Sequence, residues 1–231
     1  MTDQQFYTIL LAVIFMLLFG FAEMLHHKFK VRAELTRKLV HTVASILALS
    51  FPILIRDLWL VLLLCGSFIV VLLLSLRLSW LRSVNGIKRI SYGSISFPAA
   101  IFFSYCFYEW MSAECGREQI ASYYIPVMVL GISDPLAALF GKRWPAGKYK
   151  IAGETKTLLG TACFFISALI TSFIILVMLN GPAATPVWLL AFSIAAASSV
   201  AEGVTIRGLD NLTIPFACAM VYLAFNYNCM N

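Results

Sequence analysis

Residues 58–76 read LWLVLLLCGSFIVVLLLSL, an unbroken apolar run with no charged residue, and Arg77 closes it. A hydrocarbon core about 30 Å thick needs roughly 20 such residues in a helix. Backbone N–H and C=O groups in lipid must find partners within their own segment, so a helix is the economical reading. A transmembrane β-barrel would alternate polar and apolar residues over strands of roughly ten residues, and this run is continuous. The same reasoning gives seven further candidate spans: 6–25, 38–55, 95–113, 119–140, 157–179, 184–203 and 211–228. The second is short and closed by Pro52, and the eighth has polar ends. The expected fold is all-α, a polytopic transmembrane helix bundle of about eight helices. Residues 1–231 are expected to form a single membrane-embedded domain.

Composition agrees with this and excludes other classes. The 231 residues are 61% hydrophobic and 12% charged, with a mean hydropathy of +0.89. A soluble domain carries roughly 25% charged residues, so water alone could not solvate this chain's apolar surface. The net charge of +6 and pI near 9.1 suggest nucleic acid at first sight. No basic stripe lies on a polar domain, however, and no nucleic-acid partner is expected. All but Arg56 and Arg117 of the 17 basic residues fall in alternate loops. By the positive-inside rule those loops are cytoplasmic, which puts both termini on the non-cytoplasmic side. The first run follows Asp3 and precedes Lys28, Lys30 and Arg32, a polarity opposite to that of a cleavable signal peptide. The six cysteines are scattered with no CxxC pattern and are expected to act as small hydrophobes. Ala195, Ala196, Ala197, Ser198, Ser199 and Ala201 make the seventh span suited to close helix packing.

Four polar clusters interrupt the apolar pattern, all on the side read as cytoplasmic. Arg37-Lys38-Leu39-Val40-His41 opens the second span. Arg37 and His41, four apart, share a helix face. A basic anchor snorkelling to the headgroups would explain the cations, but histidine is a poor anchor. Ser133-Asp134-Pro135 sits inside an apolar run, several residues before Gly141-Lys142-Arg143-Trp144. A carboxylate at that depth costs a few kcal/mol on insertion scales and needs a cation. Pro135 also frees a backbone carbonyl one turn earlier. Lys148 to Thr161 crowds lysines, glycines and hydroxyls before a helix N-terminus, where free N–H groups suit phosphate. It departs from a Walker A loop in spacing, and Tyr149 stands where that loop has Ser or Thr. The last cluster is Glu202 with Arg207-Gly208-Leu209-Asp210-Asn211-Leu212-Thr213-Ile214-Pro215. There Asp210 is equally readable as a helix cap.

Together the clusters hold the parts of a phosphoryl-transfer site. Carboxylates bind Mg²⁺ through hard oxygen ligands. Lysines and a helix N-terminus neutralise a polyphosphate, in a reaction that depends mainly on positioning and charge stabilisation. At the interface such a site suits a substrate with a polar head and an apolar tail.

In this order the clusters resemble the CTP-dependent lipid kinase family: phytol and farnesol kinases, dolichol kinase and the CTP-dependent diacylglycerol kinase of yeast. The resemblance spans roughly residues 34–216. It rests on Arg37-Lys38-x-x-His41, on Asp134 followed by Gly141, on Lys156-Thr157-x-x-Gly160-Thr161, and on Glu202 with Asp210-Asn211-Leu212-Thr213-Ile214-Pro215. Ser133 and Leu209 stand where family members often have glycine and an acidic residue. The resemblance implies a catalytic domain that phosphorylates a long-chain lipid alcohol with CTP and Mg²⁺ at the cytoplasmic membrane face. It implies Asp134, Glu202, Asp210 and Asn211 as metal-binding residues. Lys142, Arg143, Lys148, Lys156, Thr157 and Gly160 would hold the nucleotide. Arg37, Lys38, His41 and Asp134 would be catalytic, with His41 and Asp134 rival general bases. The partners are then a lipid alcohol, a nucleoside triphosphate and the bilayer, with a homo-oligomer an option. Diacylglycerol kinase and phosphatidate cytidylyltransferase are the neighbouring activities, although the chain lacks the latter's His-Gly-Gly-x-x-Asp-Arg signature. A small transporter would place its ionisable groups nearer the midplane.

Overall fold

The apolar runs form helices in the expected order in a computed structural model, which describes residues 2–78, 81, 83, 92–180 and 186–227. The elements are α1 (Asp3–Lys28), α2 (Ala33–Ala48), short α3 (Phe51–Leu54), α4 (Leu58–Leu78), α5 (Gly93–Glu114), α6 (Ile120–Met128), a π-helical turn (Val129–Ser133), α7 (Asp134–Arg143), β1 (Lys148–Ile151), β2 (Glu154–Thr157), α8 (Leu158–Asn180), α9 (Val187–Val204) and α10 (Asp210–Asn226). With α2–α3 and α6–π–α7 each taken as one broken crossing, the described residues make eight spans. Six are long and apolar enough to cross a membrane. The other two are α5 and the 17-residue α10. The chain is a multi-pass membrane protein. Arg82, Lys88, Arg89, Cys229 and most of the uncharged sixth loop lie outside the described residues.

Three local outcomes differ from the sequence reading. The second span begins at Ala33, a turn before the apolar run, because Glu34 places a carboxylate at the positive end of the helix dipole. The basic loop before α8 is an antiparallel hairpin pairing Lys148 with Thr157 and Ile151 with Glu154. Ala152 and Gly153 at its tip both have positive φ, as a two-residue type I′ turn requires. Cys115 is disulfide-bonded, which corrects the small-hydrophobe reading for that residue. Cys65, Cys106, Cys163 and Cys218 are free thiols.

Two apolar clusters fill the bundle, and α5 and α6 divide them. Ile101, Tyr105, Tyr123 and Val127 face a cluster built from α1 to α4. Ala100, Met111, Ala121 and Ile125 face one built from α7 to α10. The outer surface is also apolar, with Trp59, Leu63, Met178 and Val200 largely exposed, as a lipid-facing surface must be. Trp59, Trp110 and Trp188 lie at the helix ends away from the polar clusters, where an interfacial aromatic belt belongs.

The two broken crossings are stitched by side chains. At the α2–α3 break, the Tyr123 hydroxyl donates to the Ala48 carbonyl at 2.9 Å. The Tyr105 hydroxyl donates to the carbonyl of Ile55, just beyond α3, at 2.8 Å. In the π turn, Pro135 has no N–H to offer the Gly131 carbonyl, and Thr42 Oγ1 donates to that carbonyl at 2.7 Å. The two segments meet closely, since a Cβ on Gly131 would lie 2.3 Å from the Ser45 Cβ. Gly131→Ala is therefore expected to cost about 1–3 kcal/mol through overpacking. The measurement is the unfolding midpoint of the detergent-solubilised protein, and adding Ser45→Gly should recover part of the loss. An unchanged midpoint would contradict this packing.

Candidate active site

Helices alternate in direction, so the N-termini of α2, α5, α8 and α10 meet the C-termini of α7 and α9 at one end of the bundle. The polar clusters sit on those termini. They surround one pocket of about 900 Å³ including its mouth, lined among others by Arg37, Lys38, His41, Asp134, Gly141, Lys142, Lys156, Thr157, Gly160, Glu202, Asp210 and Asn211. Four clusters far apart in sequence thus share one wall.

Asp134 starts α7 directly after the π turn and is 6% exposed. Its Oδ2 accepts a hydrogen bond from Lys38 Nζ, and the two form a buried ion pair. Lys156 Nζ lies 2.8 Å from Glu202 Oε1 and also donates to the Glu202 carbonyl. Thr161 Oγ1 donates to Glu202 Oε2 at 3.3 Å, and Tyr149 shares a 3.0 Å hydrogen bond with Thr161. The hairpin is thereby tied to α8 and α9. Lys142 pairs with Glu34 at the outer rim, where the lysine is mostly exposed. Sequence reading missed Glu34; its position three residues before Arg37 on the same helix face was the available signal.

Asp210 begins α10 and is half-buried. It lies within electrostatic range of Asp134, Lys38, Lys156 and Arg37. Its Oδ1 accepts from the adjacent Asn211 N–H at 3.1 Å, and Asn211 Nδ2 donates to the Gly93 carbonyl at 2.5 Å. The turn before α10 is fixed from two sides: Arg207 N–H donates to Glu154 Oε1 at 3.1 Å, and Ser96 Oγ to the Gly208 carbonyl at 3.0 Å. Thr157 Oγ1 accepts the Gly160 N–H at 3.1 Å. That spends the donor as a cap on the first turn of α8. Gly141 and Gly160 touch across α7 and α8, since a Cβ on Gly141 would lie 3.3 Å from Gly160 Cα.

Arg143 and Lys148 are not brought to the pocket. The Arg143 guanidinium sits 5.9 Å from the Trp144 ring centroid, and Lys148 is exposed at the start of β1. Among the described residues, two buried groups have polar atoms without hydrogen-bond partners and face the site: Arg37 Nε and His41 Nε2. Among the described residues lining the pocket, Arg37 is the cation outside the ion pairs that Lys38, Lys142 and Lys156 make. The His41 ring stacks on Phe97 with centroids 4.2 Å apart.

Among the described residues the pocket wall carries four cations (Arg37, Lys38, Lys142, Lys156) and five carboxylates (Glu34, Asp134, Glu154, Glu202, Asp210). No group of three or more His, Cys, Asp or Glu residues forms a metal cage among the described residues. Asp134 and Asp210 nevertheless suit Mg²⁺, which is usually held by one or two carboxylates together with substrate phosphates and water.

The fold and site together are those of a membrane helix bundle with a polar pocket set among its helix ends. The chain is 32% identical over 213 residues to a phytol kinase of Synechocystis sp., covering 89% of this chain and 85% of that one. It belongs to the phytol kinase family of lipid-alcohol kinases. No family model and no solved structure matches it.

The buried ion pair makes a stability prediction. Removing one partner of such a pair costs about 3–5 kcal/mol, because a buried charge is left uncompensated. Lys38→Met should therefore lower the unfolding midpoint markedly, and Lys38→Met with Asp134→Asn should restore most of it. A double variant no more stable than the single one would show that Asp134 does not depend on Lys38.

Proposed function

We propose that this protein transfers the γ-phosphoryl group of CTP to the hydroxyl of a long-chain lipid alcohol of the phytol, farnesol or polyprenol type. The observation that carries the proposal is a pocket in which cations for a polyphosphate and two carboxylates meet Arg37 Nε and His41 Nε2, atoms with no hydrogen-bond partner among the described residues. The relative's name supports phytol as a substrate to test. The whole chain acts as one catalytic domain, with its site facing the cytoplasm. The basic loops at the site end support that orientation.

In this reading Lys156 and Lys142 exchange part of their carboxylate contacts for phosphate oxygens, helped by Thr157. Arg37 and Lys38 stabilise charge on the transferring group. Catalysis is then mainly positioning and electrostatics. The lipid oxygen bonds to the γ-phosphorus as the bond from that phosphorus to the β-phosphate oxygen breaks, releasing CDP. The hydroxyl proton passes to His41 Nε2, which is buried and has no hydrogen-bond partner among the described residues. Asp134 already gives one oxygen to Lys38, which favours His41 as the base. Asp134 and Asp210, with Asn211 alongside, would hold Mg²⁺, and bound metal would neutralise phosphate charge.

A general base contributes about 10²–10⁴-fold. His41→Ala is expected to lower kcat within that range. Asp134→Asn, destabilised by the loss of the Lys38 partner, is expected to abolish turnover in the fraction that remains folded. Near-normal turnover in folded Asp134→Asn would overturn the assignment. The released product separates neighbouring reactions: CDP for a kinase, pyrophosphate for a cytidylyltransferase.

A further inference from the structure

Behind the polar pocket lies a second cavity of a different kind. It encloses about 670 Å³ including its mouth, between α1, α2, α3, α4 and α5. Its walls are almost wholly apolar, with Phe15, Leu64, Phe68 and Ile101 among them, and these side chains are at most 7% exposed. An apolar cleft that adjoins a polar pocket through two shared residues has the character of a ligand site.

The two cavities share two residues, Arg37 and His41. On α2, Arg37, Val40, His41, Ala44 and Ala48 form one stripe along the apolar cavity, following the 3.6-residue period. The stripe leads away from the charged pocket and ends at Phe51, which is 2% exposed. Beneath it the floor is fixed by the hydrogen bonds of Tyr105 and Tyr123 to the backbone at Ile55 and Ala48. From His41 to Phe51 the cavity is about 15 Å deep at the helical rise.

We infer that this cavity is the tail site of the lipid substrate, holding one isoprenoid chain of farnesol to phytol size with its hydroxyl at His41. The inference rests on the lipid-alcohol kinase reading of the adjoining pocket. The occupant follows from three features. The described walls carry no charge below His41. At its Arg37–His41 end the cavity adjoins the group placed to take the hydroxyl proton. The depth of about 15 Å at the helical rise limits the chain to a few isoprene units. Ala48 and Phe51 then act as a ruler for chain length.

Purified protein in lipid nanodiscs, assayed with geraniol, farnesol, phytol and dioleoylglycerol, tests the ruler. Ala48→Phe raises the floor and should lower the phytol-to-geraniol ratio of kcat/KM by about tenfold or more, the scale on which apolar pockets sense chain length. A ratio within twofold of wild type in the folded variant would overturn the inference. A second measurement needs no variant and no turnover: photolabelling with a farnesol analogue carrying a diazirine at the tail end. Cross-links at Ala48–Phe51 or Leu64–Phe68 support the tail site, and cross-links confined to outward-facing side chains such as Leu63 and Val70 overturn it. If wild type phosphorylates none of the alcohols, the kinase reading fails, and the photolabel still decides where the chain sits.

Discussion

The Lys38–Asp134 ion pair is the interaction on which the rest of the site depends. Two charges taken out of water cost several kcal/mol each before their attraction returns any of it, and a membrane bundle has no water in its core to share that cost. The pair survives because both residues sit at helix ends near the polar face, with other charged groups in range. It fixes α2 against the start of α7, and that contact holds His41 and Arg37 over the boundary between the polar pocket and the apolar cavity.

The same contact explains why the helices are broken where they are. A continuous helix through residues 120–143 would satisfy its own backbone and offer no purchase to α2. The π turn and Pro135 release the Gly131 carbonyl to Thr42, and Gly131 lets Ser45 approach. Single π-helical turns inside α-helices are frequent at functional sites. The α2–α3 break has the complementary effect at the other end of the apolar cavity. There the freed carbonyls are satisfied by Tyr105 and Tyr123, closing a floor inside the bundle.

Much of this was legible in the chain because the governing signals are local. Residues 58–76 declare a membrane helix by length and lack of charge, and the other spans follow. Asp134 stands out as a carboxylate within an apolar run, and Pro135 announces the freed carbonyl that Thr42 takes. What was not legible depends on pairing across distance. The hairpin of Lys148–Thr157 is too short and too polar to show strand alternation, and Ala152 at its tip is an unusual residue for positive φ. Partners such as Lys38 for Asp134, Lys142 for Glu34 and Lys156 for Glu202 are set by helix docking, which no periodicity reports. The apolar cavity was invisible for the same reason, since Phe15, Ala48, Phe68 and Ile101 each read as ordinary core.

Position-specific labelling of the donor tests the central claim most directly. Purified protein is incubated with phytol, Mg²⁺ and CTP carrying ³²P at either the α- or the γ-phosphorus, and the lipid is extracted and counted. The account predicts label in the lipid from γ-labelled CTP and none from α-labelled CTP. Label from the α-phosphorus, which would mean cytidylyl transfer, or no labelled lipid from either donor, would contradict it.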